Sequence, residues 1–132
     1  MKPIVIYHGN CADGYGAAWC FHNADPYGYE YCAGVYQNPP PNVEGRDVLL
    51  VDFSYKRDVV ETMLETANSI TLIDHHKTAW DDLFDLISYG KIVASYDVEQ
   101  SGAALAWRYL HGARHRPRLI DHIEDRDLWR FA

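Results

Sequence analysis

Short apolar runs alternate with helix-length stretches along this chain, and that alternation leaves few folds open. Pro3–Tyr7 (PIVIY), Tyr29–Val35, Asp47–Val51 (DVLLV), Ile70–Ile73 (ITLI) and Lys91–Ser95 (KIVAS) each read as a strand. Between them, Asp13–His22 has the length and small residues of a helix. Val59, Val60, Met63, Leu64 and Ala67 recur at the one-, three- and four-residue steps of an amphipathic helix. Trp80–Ile87 reads as another helix, Ser101 is placed to N-cap one that runs to Leu110 and stops at Gly112, and Leu119–Trp129 closes the chain. Asn38–Asn42 (NPPPN) is a turn or a rigid surface connection. Continuous apolar strands separated by helices imply a mostly parallel sheet covered on both faces. The expectation is a single α/β domain over residues 1–132, a length that can bury its own core.

Three of the strand runs end on strongly polar residues: His8, Asp52, and the triplet Asp74-His75-His76. In a parallel sheet these ends lie along one edge, where open α/β sheets bind their ligands. Polar groups at the exit of a buried strand are costly unless something engages them. Taken singly, each has an ordinary explanation. Asp13 before Gly14 can cap the first helix, Asp52 can be a turn residue, His8 can be a satisfied buried histidine, and the triplet can be a polar turn. Taken together with Asp125, they mix imidazole and carboxylate, a set that suits Mn²⁺, Fe²⁺ or Co²⁺ better than a thiolate zinc site does. Two such ions about 3.5–4 Å apart can share one carboxylate and activate a water. Asp52, from the central of the three strand ends, is the expected bridge. Either Asp74 or His76 can supply the hydrogen bond that fixes a ligand histidine's tautomer.

Charge narrows the partners. The formal net charge is −7 and the pI about 5.3, which leaves no broad basic surface for long duplex nucleic acid. Substrates with few phosphates remain open. Arg126 and Arg130 lie close to Asp125, with Arg114, Arg116 and Arg118 just upstream, and arginine suits bidentate phosphate contacts as well as a solvated surface. Tyr15 and Trp129 can stack on a base or fill a core. Cys11, Cys20 and Cys32 are odd in number and form no CxxC pair, and Cys20 and His22 point apart on a helix. With no signal peptide at Met1-Lys2-Pro3 and no apolar run approaching the ~18 residues of a span, a cytoplasmic protein away from membranes is expected.

Four segments in order, HGNCADGYGAA, VDFSY, TLIDHH and HIEDRDLW, resemble motifs I to IV of the DHH phosphoesterase superfamily over residues 4–129. That family includes RecJ-like exonucleases, nanoRNases, cyclic-dinucleotide phosphodiesterases and family II inorganic pyrophosphatases. The resemblance implies the N-terminal DHH fold and a two-ion site, with Mn²⁺ expected and Mg²⁺ or Co²⁺ as alternatives. It implies His8, Asp13, Asp52, His75 and Asp125 as metal ligands, His76 facing the scissile phosphate and Asp74 supporting the histidines, as the catalytic pair. Arg126 and Arg130 are the candidate substrate contacts. The implied activity is hydrolysis of a phosphodiester or phosphoanhydride in a nucleotide or short oligonucleotide. A weakened nucleotide- or metal-sequestering protein and a pyrophosphatase are the alternatives. Two departures stand out. Asn10 and Cys11 occupy the region where many relatives carry a second motif I aspartate, and the sequence ends at Ala132 without the usual C-terminal substrate-binding domain. The expectation is therefore a minimal DHH domain, or one whose cleft a homo-oligomer or another partner completes.

Overall fold

The computed structural model describes residues 1–112 and 117–127, with the side chains of 125–127 left aside. The strands are β1 (Ile4–His8), β2 (Glu30–Gly34), β3 (Asp47–Val51), β4 (Ser69–Asp74) and β5 (Val93–Tyr96). The helices are α1 (Ala12–Ala24), α2 (Arg57–Leu64), α3 (Lys77–Ser88), α4 (Gly102–His111) and α5 (Arg118–Asp127). All five strands are parallel, in the order β2-β1-β3-β4-β5. The expected α/β domain with a parallel sheet is the fold observed.

The two-residue period of the strands divides the core cleanly. Ile4, Ile6, Val48, Leu50, Ile70 and Leu72 face one side, where Val60 and Met63 of α2 and Leu83 and Leu86 of α3 pack on them. Val5, Leu49, Val51 and Ile73 face the other, against Ala17, Cys20 and Phe21 of α1, Ala103–Ala106 of α4 and Ile120 of α5. Each fully buried valine, leucine, isoleucine, methionine or phenylalanine among them contributes roughly 1.5–3 kcal/mol through burial. The small residues of α1 have a packing cause. A Cβ on Gly16 would meet Ile123 Cδ1 at 2.7 Å and Ala103 Cβ at 3.2 Å, so α1 can lie this close to α4 and α5 only because position 16 is bare. Cys20 is fully buried and His22 is exposed, so that pair is indeed core and surface.

Several boundaries differ from the sequence reading, and each has a local reason. The helix expected over Trp80–Ile87 starts at Lys77, immediately after the triplet, with His76 as an N-cap that makes no side-chain capping bond. The strand expected from Lys91 starts at Val93, because the N–H groups of Lys91 and Ile92 both bond Leu86 O, at 2.9 and 3.3 Å, and close the end of α3. Gly90 takes the positive φ of 73° that this reversal needs. The second helix ends at Leu64, short of Ala67, where the bonding tightens to i→i−3: Glu65 N bonds Thr62 O at 3.1 Å and Thr66 N bonds Met63 O at 3.2 Å. Ser101 caps α4 through Ala104 N, and Gly112 ends it, as the sequence indicates. Among the described residues, no helix is long and apolar enough to cross a membrane.

Candidate metal centre

The sheet brings the three polar strand ends side by side. Tyr7 pairs with Val51 and Val51 with Ile73, so His8, Asp52 and Asp74 follow in adjacent positions at the carboxyl edge. The strand order reverses direction between β1 and β3, which makes this edge the topological switch point.

Asp52 sits at the centre. Its N–H still bonds Ile73 O at 2.9 Å, but its φ is +54°, a left-handed conformation that aspartate and asparagine tolerate better than most residues. The turn aims the carboxylate inward, where 2% of the residue is exposed. The space exists because residue 102 is glycine: a Cβ there would lie 2.5 Å from Asp52 Cβ and 2.7 Å from its Cγ. Asp52 Oδ1 lies 3.0 Å from His75 Nε2, and its Oδ2 accepts from the Cys11 thiol at 3.5 Å.

Asp13 approaches the same His75 nitrogen, with Oδ2 3.5 Å from Nε2. It is also a strut. Its two oxygens accept from Gly102 N and Ala103 N, both at 2.8 Å, and so tie the start of α4 to the start of α1. Ser101 N, one residue earlier, donates to Glu124 Oε2 at 3.1 Å. Two buried carboxylates thus engage the positive N-terminal end of α4.

Asp74 is fully buried and has one busy oxygen and one idle one. Oδ1 accepts from His75 N at 2.8 Å and pairs with His76 Nδ1 at 2.7 Å. Oδ2 is buried without a hydrogen-bond partner. Since a carboxylate only accepts, the His76 ring proton sits on Nδ1 when the ring is neutral. At His8, Nδ1 accepts from Asn10 N at 3.3 Å. That contact places the neutral ring's proton on Nε2, so a ligand role for His8 requires it to give way.

Burial pushes the Asp52 carboxyl up to about 7, the His75 hydrogen bond opposes the rise, and the Asp13 charge adds to it. Burial likewise pushes the Cys11 thiol up to about 11, with Asp52 and Asp13 adding to it, which makes it a neutral donor rather than a thiolate. Cys11 also caps α1, its Sγ accepting from Gly14 N at 3.3 Å. Asp52, Asp74, His75 and His76 each offer a ligand atom within 4.8 Å of the others. Crowded buried carboxylates, an unpartnered oxygen and imidazole nitrogens make a donor set that fits a hard or borderline divalent cation.

The edge opens into a cleft of about 460 Å³ whose walls include His8, Asp52, Asp74, His76, Thr78 and Lys56. Of the residues singled out in the sequence, His8, Asp13, Asp52, Asp74, His75 and His76 are brought together. Asp125 and Arg126 fall within α5, but their side chains lie outside the described residues, as does Arg130 altogether. Arg118 is exposed at the start of α5. Tyr15 lies on a separate groove with Tyr7, Trp19 and Tyr31, away from this cleft. Sequence reasoning passed over Tyr36, Ser54 and Lys56 in the cleft and Gly102 and Glu124 beneath it. Only Glu124 carried a legible signal: it follows Ile120 and Ile123 at helical spacing, on the buried face.

The fold and the clustered donors thus define a doubly wound α/β domain with a candidate divalent-metal centre at its switch point. An uncharacterized protein of Acanthamoeba polyphaga mimivirus is 30% identical to the chain over 144 residues, covering 97% of this chain and 34% of that protein. The chain therefore spans about a third of the length of the curated relative it matches. No protein-family model matches the chain, and no solved structure does.

Proposed function

We propose that this chain is a metal-dependent phosphoesterase of the DHH type, hydrolysing a phosphodiester or phosphoanhydride in a nucleotide or short oligonucleotide. The observation that carries the reading is the buried cluster of Asp13, Asp52 and His75, with the unpartnered Asp74 Oδ2 beside it, where three parallel strands end on one cleft. His8, Asp13, Asp52, His75 and Asp125 are the residues that would hold the ions, Mn²⁺ in first place. Bound divalent ions supply charge neutralisation at phosphorus and an acidified water.

The chain's own residues do the rest. Asp52, whose carboxyl pKa is raised by burial, would have to give up its proton to hold a cation. Asp13 anchors the start of α4, whose bare Gly102 leaves the room that the Asp52 side chain occupies. Asp74 holds His76 by Nδ1 and keeps the ring upright at the cleft wall. From there His76 can stabilise negative charge on the phosphoryl oxygens or pass a proton to the leaving oxygen.

Metal content and turnover, measured on the same preparation, test the reading. Hydrolysis of bis-p-nitrophenyl phosphate or pApA that needs Mn²⁺ and is abolished by chelation is expected. Stable Mn²⁺ binding without hydrolysis of either would favour the sequestering alternative.

A further inference from the structure

Beyond the metal-ligand candidates, the cleft continues past Phe53 and Ser54 into a side cavity of about 340 Å³, walled by Tyr36, Pro39, Pro40, Tyr55 and Val59. Both cavities share Tyr36 and the Phe53–Lys56 stretch, so one ligand can occupy both.

Aromatic and proline rings make up much of the side cavity's wall. Tyr36 is 61% exposed, and Lys56 Nζ stands 5.9 Å from the centre of its ring. Phe53 packs where Gly34 has no side chain, and a Cβ there would meet its ring at 2.6 Å. Its ring meets Tyr55 edge-on at 4.9 Å and His8 at 6.3 Å, so the same residue braces the metal end and the side cavity. Gln37 and Asn38 at the rim offer amides, each with donors and an acceptor, the complement of a base edge.

Charge assigns the neighbouring position. Among the described residues lining the cleft, Lys56 is the one lysine or arginine, against Asp52, Asp74 and Asp82. Asp82 is already committed, accepting from Arg57 N at 2.9 Å. Lys56 lines both cavities, and so offers the cationic contact for a phosphate that reaches from one to the other.

We propose that the side cavity is a nucleobase subsite, with Tyr36 as the stacking residue and Lys56 as the phosphate contact. The ligand is then a nucleotide, or the nucleotide end of a short oligonucleotide, rather than pyrophosphate. The inference rests on the phosphoesterase reading of the adjoining centre, and binding measurements separate the two.

The test is calorimetric binding of AMP and of ribose 5-phosphate in Mn²⁺, to the wild type, Tyr36→Ala and Lys56→Gln. The two ligands share the phosphate and the ribose and differ at the anomeric carbon, where AMP carries the base and ribose 5-phosphate a hydroxyl. Stacking on one aromatic ring predicts that the wild type prefers AMP by about 5-fold or more. Tyr36→Ala should erase that preference while leaving ribose 5-phosphate within about twofold, and Lys56→Gln should weaken both ligands together. Equal affinity for the two ligands in the wild type, absence of binding, or a preference that survives Tyr36→Ala overturns the subsite. Unchanged affinities in Lys56→Gln overturn the phosphate contact. Turnover of bis-p-nitrophenyl phosphate scores the hydrolytic reading separately. Turnover without base preference removes only the subsite, and base-selective binding without turnover removes only the hydrolysis.

Discussion

Replacing Asp52 by asparagine should make the metal-free protein more stable, although Asp52 is the residue on which the proposed function most depends. The folded carboxyl lies at about 7 against an ordinary 3.8, chiefly because it is buried. With the folded value above the unfolded one, the protonated form contributes stability that is complete below the unfolded pKa of 3.8 and is lost as pH rises through about 7. The full shift corresponds to roughly 4 kcal/mol as an upper bound, and we expect about 1–3 kcal/mol to appear. Asparagine carries no charge, tolerates the left-handed φ of 54°, and can still face His75 with its oxygen. Thermal unfolding in EDTA should therefore place Asp52→Asn several degrees above the wild type at about pH 8, and nearly level with it at about pH 4. Saturating Mn²⁺ should reverse the order at about pH 8, since only the wild type gains the binding energy, about 2.7 kcal/mol at 100 times Kd. A variant less stable than the wild type in EDTA at about pH 8 would refute the buried-charge account of this site.

The neighbouring positions give contrasting outcomes. Asp13→Ala should lose stability at every pH, by about 1–3 kcal/mol for each buried N–H left unpaired at Gly102 and Ala103, as read by urea denaturation. Gly102→Ala should force Asp52 or α4 to move, costing about 1–3 kcal/mol of stability and weakening Mn²⁺ binding by calorimetry; unchanged binding would show that Asp52 is not positioned by this contact. His75→Ala should reduce both bound Mn²⁺ and turnover, whereas His76→Ala should reduce turnover with the metal largely retained. Equal metal loss in the two would mean their roles are divided wrongly.

Much of this architecture can be read from the chain because buried parallel strands have little freedom in composition. DVLLV is buried on both faces and its limits match the observed β3 residue for residue. The clustering of His8, Asp52 and the Asp74–His76 triplet follows from parallel strands of similar length ending together. What the sequence hides depends on three-dimensional closeness. Nothing in VDFSY signals that Asp52 turns left-handed, or that its side chain fills the space left bare by Gly102, fifty residues later. Asp13 reads as a cap for its own helix, yet its hydrogen bonds reach the start of α4. Lys56 and Tyr36 look like ordinary surface residues until the loop holding Tyr36 folds beside the start of α2.

The most direct test is Mn²⁺ stoichiometry by elemental analysis, set against hydrolysis of pApA, on the wild type and Asp52→Asn. The account predicts bound Mn²⁺ and chelator-sensitive turnover in the wild type, and loss of both in the folded variant. Turnover that persists in EDTA, or a variant that keeps its Mn²⁺ and its activity, would contradict it.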